Sequence, residues 1–423
     1  YGEFIGEDSI SRLDFIPQPF KFLQLYGLSL SLPEQTQLLY EFSNTVTKKI
    51  IDNCQAADLA VRINTVSESV FPSTLEQTPS RKLILTLLTA GGATPPLLAV
   101  SSLTSRLGLN IETVRHLTQI EPRGVASAPD ASFSKSLSAT RVAPAPKSNQ
   151  VWAADQSALQ RQCFEIRLAG TAINSEAFQA QLLAQADDLG FDFSVQVDNV
   201  FRRNRRLVAL DMDSTLIAVE VMDELAKRHG VGDQVVAITT AAMVGEIDFK
   251  ESFRRRAKLL KGLPESTLHE VASSVALNPG ADRLIKVLKN FGYTVVVISG
   301  GFQYVGDYLQ AQLGLHHVFA NNLVIENGVM TGEISGEIVD AERKAELLES
   351  VAAAEGIRLS QTIAVGDGAN DLPMLKKAGL GVAYNAKALV REQANHLISN
   401  FGLDAILYLM GFTDADIEQA LHG

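Results

Sequence analysis

Short uncharged runs that stop abruptly at polar residues recur through the second half of the chain. Leu207–Leu210, Thr294–Ile298 and Thr362–Val365 are rich in Val, Ile, Leu and Ala and show no in–out alternation. Strands read this way when both faces of a parallel sheet are covered. Segments with helical apolar spacing separate them, so residues from about 205 to 423 are expected to form an α/β, Rossmann-like doubly wound parallel sheet. Leu323 to Thr331 places Asn327-Gly328 between two apolar runs, which predicts a β-hairpin.

Residues 81–200 have a different rhythm. Strands are predicted at Lys82–Leu88, Ile111–Ile120, Cys163–Leu168 and Phe191–Val197, with helices at Pro95–Leu107 and Ser175–Leu189. The order βαββαβ predicts a ferredoxin-like α+β domain ahead of the parallel sheet. Within it, Pro122 to about Gln150 is rich in Ala, Ser and Pro, a composition that cannot bury a core and predicts a mobile insertion. Residues 1–80 are the least legible: an apolar stretch at Phe20–Leu30, a helical-looking segment from Pro33 to about Cys54, and no assignable chemistry. Between the halves, Arg202-Arg203-Asn204-Arg205-Arg206 reads as a solvated linker.

Bulk composition narrows the partners. A chain of 423 residues should make two or three domains, and 37 basic against 48 acidic residues disfavour nucleic acid and anionic lipid. Only Cys54 and Cys163 are present, without C-x-x-C spacing, so a disulfide framework or zinc site is not expected and a reducing cytoplasm fits. No apolar run approaches the roughly 18 residues of a membrane span, and the start lacks a signal-peptide layout and an initiator Met. The seven histidines have no ligand spacing.

The strand ends carry the chemistry. The first run ends in Asp211-Met212-Asp213-Ser214-Thr215, the second in Ser299-Gly300-Gly301, the third in Gly366-Asp367-Gly368-Ala369-Asn370-Asp371. Four carboxylates on one rim repel each other unless a hard divalent cation, Mg²⁺ in the first instance, sits among them. Ser299 and Gly300 offer a hydroxyl and backbone N–H groups to a phosphate, and Lys344, at the start of the helical run Glu342–Ala354, adds positive charge. Singly, each motif is a commonplace cap or turn. Together they describe a phosphoryl-transfer site.

With these motifs, residues from about 207 to 411 resemble the haloacid dehalogenase superfamily of aspartyl-phosphate enzymes, and the likeness extends into Glu220, Ala242-Met243, Phe249 and Arg254-Arg255-Arg256. The resemblance implies that Asp211 is the nucleophile and Asp213 the general acid and base. It implies Mg²⁺ held by the Asp211 carboxylate, the Asp213 main-chain carbonyl and Asp367, with Asn370 and Asp371 in support. Ser299, Gly300 and Lys344 would hold phosphoryl oxygens. A helical cap over about 218–277 would place Glu220 on a substrate ammonium and Arg256 on its carboxylate, with Met243 and Phe249 excluding water; an intra-cap salt bridge is the alternative for Glu220 and Arg256. Phe249 and Arg256, seven apart, share one helix face, whereas Arg254 and Arg255 face solvent. The implied activity is hydrolysis of O-phospho-L-serine to L-serine and phosphate, the last step of serine synthesis; another small phosphomonoester such as phosphohomoserine is the alternative. The βαββαβ order of residues 81–200 resembles an ACT-type regulatory domain, implying L-serine as a feedback ligand and a homodimer.

Overall fold

The structure, a computed structural model, describes residues 11–14, 39–42, 81–90, 94–118, 161–170 and 175–422. A two-stranded ladder pairs β1 (Ser11–Asp14) with β2 (Leu39–Phe42). The front unit follows as β3 (Arg81–Ala90), α1 (Thr94–Arg106), β4 (Asn110–His116), β5 (Arg161–Gly170), α2 (Ser175–Leu189) and β6 (Phe191–Val197). β7 (Leu207–Leu210) leads into four short helices, α3 (Val221–His229), α4 (Gly232–Met243), α5 (Phe249–Leu259) and α6 (Glu265–Ser274). Next come α7 (Ala281–Asn290), β8 (Thr294–Phe302), α8 (Gln303–Leu313), β9 (His317–Glu326), β10 (Val329–Ser335) and α9 (Ala341–Ala354). The chain closes with β11 (Thr362–Gly366), α10 (Leu372–Lys377), β12 (Leu380–Tyr384), α11 (Ala388–Gln393), β13 (His396–Ile398), α12 (Ala405–Leu409) and α13 (Asp414–His422).

The uncharged runs are strands with a core on each side. Leu207 and Ala209 of β7 enter one hydrophobic cluster, Val208 and Leu210 the other, and all four are fully buried. Val296 and Ile298 of β8 part from Val295 and Val297 in the same way, as does Ala364 of β11 from Ile363 and Val365. This period-two division explains why the runs lack polar residues. The strands order as β10-β9-β8-β7-β11-β12-β13-β6-β3-β5-β4 in one sheet. From β9 to β13 neighbours are parallel; β10 and the four front strands are antiparallel. β7 lies between β8 and β11, so three adjacent carboxyl ends meet at one rim, where α/β sheets bind ligands.

Helices α3 to α6 form the insertion where the cap is expected. The legs of this insertion are tied by Ala218 N–H to the Ala276 carbonyl at 2.9 Å, and by Asn278 Nδ2, which donates to the carbonyls of Ser214, Thr215 and Ile217. The predicted hairpin forms, with Asn327 and Gly328 both at positive φ (51° and 75°), the geometry of a type I′ turn. Its Gly328 and Met330 bond to Gly262–Glu265, so the hairpin braces the far side of the cap.

The front strands run in the order fourth, first, third, second and continue the main sheet through β6, with Ser194 opposite His396 and Phe193 opposite Leu397. Leu83, Leu85 and Leu87 belong to the same cluster as Leu207, Leu347 and Met374. Two sequence expectations change here. Arg202 and Arg205 of the basic stretch are buried, not solvated: Arg202 bonds Glu165 at 2.6 Å and Arg205 the Ser360 carbonyl at 2.6 Å. Arg202 and Arg205, three residues apart, point inward after the single 3-10 turn Val200–Arg203, while Arg203 and Arg206 remain exposed. The helical-looking segment contains strand β2 at Leu39–Phe42; the three-residue spacing of Leu39 and Phe42 suits a helix face, and pairing with β1 overrides it. The remainder of that segment, the insertion at 122–150 and Cys54 lie outside the described residues. Among the described residues no helix is long and apolar enough to cross a membrane.

Candidate active site

Asp211 follows the last residue of β7 and is held there by its own N–H to the Val365 carbonyl of the neighbouring β11 at 2.9 Å. The chain then coils tightly, with Leu216 and Ile217 N–H bonding the Met212 carbonyl and Ser214 at φ 59°, a left-handed conformation rare for a non-glycine residue. That turn returns Asp213 and Thr215 to the rim. Both are buried, as are Asp211, Ser299, Lys344, Asp367 and Asp371.

Lys344 is the central cation. Fully buried near the start of α9, its Nζ donates to Asp211 Oδ1 at 2.6 Å and Asp371 Oδ1 at 2.7 Å. Burial opposes its charge, but the two carboxylates outweigh that and raise its pKa. The other Asp371 oxygen accepts the Gly368 N–H at 3.0 Å. Oxygen atoms of Asp211, Asp367 and Asp371 lie within 4.8 Å of one another. Burial and then the neighbouring Asp371 push the Asp211 carboxyl up, with Lys344 opposing. Burial raises Asp367 to about 6, offset by Lys387, whose Nζ is 3.3 Å from Asp367 Oδ2. An all-oxygen, net-negative cluster suits a hard divalent cation, and these three aspartates fit a metal site.

Asp213 differs. It makes no ion pair among the described residues, its Oδ1 has no hydrogen-bond partner, and burial followed by Glu220 and Asp211 raises its pKa strongly. The Asp213 carboxyl therefore favours its protonated form. β8 forms the adjoining side of the rim: Ser299 Oγ accepts the Gly301 N–H at 2.9 Å, and Asn321 fixes the turn by donating to the Gly300 carbonyl and accepting the Val339 N–H. A methyl group on Gly301 would lie 2.6 Å from Asp213 Oδ2, so only glycine lets this strand approach.

A family profile described as haloacid dehalogenase-like hydrolase matches residues 208–376. The curated phosphoserine phosphatase of Methanocaldococcus jannaschii is 42% identical over 205 residues, 48% of this chain and 97% of that protein. The chain belongs to the haloacid dehalogenase-like hydrolase family. Streptomyces coelicolor phosphoserine phosphatase is 48% identical over 255 residues, covering 60% of this chain and 62% of that one. The match thus spans less than two thirds of the Streptomyces protein's length. A crystal structure of a HAD family hydrolase from Salmonella enterica aligns with TM-score 0.54 at 36% identity, over 59% of this chain and 86% of that one.

In this family frame the cap side of the site can be placed. Phe249 and Arg256 both lie on α5; Phe249 Cζ is 3.2 Å from where a Gly300 side chain would begin, with Asn370 Nδ2 4.0 Å from the same point. Arg256 is partly buried, which lowers its pKa against the attraction of Asp223, Glu220 and Asp213. Glu220 caps α3 without a side-chain cap bond and accepts the Ser214 hydroxyl at 2.8 Å. Arg254 and Arg255 are exposed. Met243 is not brought to the rim: at the end of α4 it is 78% exposed. Sequence reasoning missed Asp223, Asn278, Asn321 and Lys387. Lys387 had an available signal, since it follows the end of the apolar run β12 at the same rim; the asparagines had none, because their partners are backbone atoms of distant elements.

Proposed function

We propose that the protein hydrolyses O-phospho-L-serine to L-serine and phosphate through a phosphoaspartate on Asp211, with Mg²⁺ as cofactor. The observation that carries this reading is the contrast between Asp211, salt-bridged to Lys344 at 2.6 Å, and Asp213, buried beside acidic neighbours with a strongly raised pKa. A nucleophile must be ionised and an acid protonated; burial raises both carboxyls, and Asp211 alone has a lysine to hold its charge. An Asp211 oxygen attacks phosphorus, the P–O bond to serine breaks with its electron pair on the serine oxygen, and Asp213 delivers the proton. The Asp213 carboxylate then takes a proton from water as the water oxygen attacks phosphorus, the P–O bond to Asp211 breaks, and phosphate leaves. Lys344, Ser299 and the Gly300 N–H hold the phosphoryl oxygens throughout. When bound, Mg²⁺ would neutralise developing charge on those oxygens from the Asp211 and Asp367 carboxylates and the Asp213 main-chain carbonyl, with Asp371 and Asn370 beside it.

The substrate class rests on the cap. Arg256 set among Glu220 and Asp223 suits a ligand carrying both a carboxylate and an ammonium, that is, an α-amino acid. The relatives called phosphoserine phosphatases, 42% and 48% identical across this half, support that reading. Phe249 over Gly300 supports water exclusion at the reacting phosphoryl group. We further take residues 205–423 as the phosphatase domain with its cap at about 218–277. Residues 81–200, ordered βαββαβ, are taken as an ACT-like regulatory domain binding L-serine in a homodimer.

Phosphate release from O-phospho-L-serine tests the reading: activity with Mg²⁺, none with EDTA, and none in Asp211→Asn, whose loss should reach at least ~10⁴-fold. Arg256→Ala should lose phosphoserine but keep p-nitrophenyl phosphate. Equal losses on both substrates would overturn the assignment of Arg256, and full activity of Asp211→Asn would overturn the mechanism.

A further inference from the structure

We propose that Lys250 and Asp340 form a positioning pair that seats the cap on the helix carrying Lys344. Lys250 is the second residue of α5, between Phe249, which lies against Gly300, and the turn leading to Arg256. Its Nζ is 2.9 Å from Asp340 Oδ2. A cation in the first turn of a helix opposes the helix dipole, so this lysine gains nothing from α5 itself. Its partner is across the seam.

Asp340 has two duties. Its Oδ1 accepts the Arg343 N–H at 2.9 Å and caps α9, and its main-chain carbonyl accepts the Lys344 N–H at 2.9 Å. Its second oxygen is left for Lys250. One carboxylate thus fixes where the Lys344 helix begins and where the cap helix rests. Lys344 in turn bridges Asp211 and Asp371, so the seat of Phe249 and the origin of the phosphate-side lysine share a single anchor. Among the described residues this is the one ion pair joining cap to core. It closes the edge of a cleft of about 460 Å³ lined by Phe249, Lys250, Asp340, Ala369 and Asn370. Lys250 is 43% exposed, so its effect belongs to cap placement and not to global stability.

The inference rests on the phosphoserine reading only for the substrate used in its test. Lys250→Met removes the charge and leaves Asp340 free to cap α9; Lys250→Arg keeps the charge. In Lys250→Met the KM for O-phospho-L-serine should rise about three- to fivefold with kcat within about twofold, the size of a half-exposed ion pair lost from binding. Lys250→Arg should restore KM, and added salt should raise the wild-type KM towards that of the methionine variant. Hydrogen exchange in peptides covering 249–259 should quicken about threefold in Lys250→Met while 207–215 is unchanged. An unchanged KM with unchanged exchange, or an arginine variant indistinguishable from methionine, overturns the pair. Should the wild-type protein release no phosphate from O-phospho-L-serine, the substrate reading fails and the exchange comparison alone decides the pair.

Discussion

Asp211 and Asp213 are separated by a single residue, yet their surroundings pull them apart. Burial and the acidic rim raise both carboxyls, but Asp211 has Lys344 to hold its charge, whereas Asp213 has no ion-pair partner among the described residues and one oxygen without a hydrogen bond. Asp213→Asn should therefore reduce kcat by about 10²–10⁴-fold, the usual worth of general acid–base catalysis, with the melting temperature held or raised. Steady-state kinetics and a thermal melt check both. The same crowding sets a pH dependence. Asp367 titrates at about 6 in the fold against an ordinary 3.8, so the stability it gains from protonation is full below 3.8 and is lost as pH rises through about 6. Asp211, also raised, extends that loss upward. A divalent cation bound by these carboxylates would take the place of the proton, so the melting-temperature increase caused by added Mg²⁺ should be larger at pH 8 than at pH 5. A Mg²⁺ increment independent of pH would contradict the three-aspartate site.

At the scale of elements, the site depends on how closely β8 approaches the turn after β7. Gly301 has no room for a side chain, since a methyl group there would lie 2.6 Å from Asp213 Oδ2 and 2.7 Å from Met212 Cε. Gly301→Ala should move Asp213 and lower kcat by at least about tenfold, at a stability cost of about 1–3 kcal/mol from overpacking. Activity equal to wild type would show that the strand can retreat without cost. The positions of β7, β8, β11 and the hairpin were legible because uncharged runs and Asn-Gly have few alternative readings. The asparagines that lock the rim were not. Asn278 and Asn321 bond to carbonyls and N–H groups more than 15 residues away, and no local pattern marks such a partner.

At the scale of the molecule, the described front unit and the α/β half are one sheet with a shared core. Polar contacts across the seam reinforce it: Arg202 on Glu165, both buried, Arg161 on Asp404, and Asp192 accepting the N–H groups of Ser399 and Asn400. Removing one partner of a buried pair leaves a charge without compensation. Arg202→Met should thus destabilise the protein by about 3–5 kcal/mol, and calorimetry of the wild type should show the two halves melting in a single transition. Two separated transitions, with the variant affecting only the first, would contradict a common cooperative unit. The seam also means that residues 81–197 in isolation would expose the edge of β6 and leave Glu165 and Asp192 without their partners.

The chain by itself determined which motifs meet at one rim, because Asp211-x-Asp213, Ser299-Gly300-Gly301 and Gly366–Asp371 each sit at the end of a buried parallel strand. It also pointed to positive charge among them, since like charges on one rim repel. Only the tertiary structure decided that Lys344 binds Asp211 and Asp371 together and that the Asp213 carboxylate stays outside the cluster of Asp211, Asp367 and Asp371. It alone decided that Arg202 and Arg205 face inward and that Asp340 serves the cap as well as its own helix. Charge and hydropathy are properties of single positions and can be read along a chain. Whether an arginine is a solvated linker or a buried bolt depends on what the fold brings to its far side.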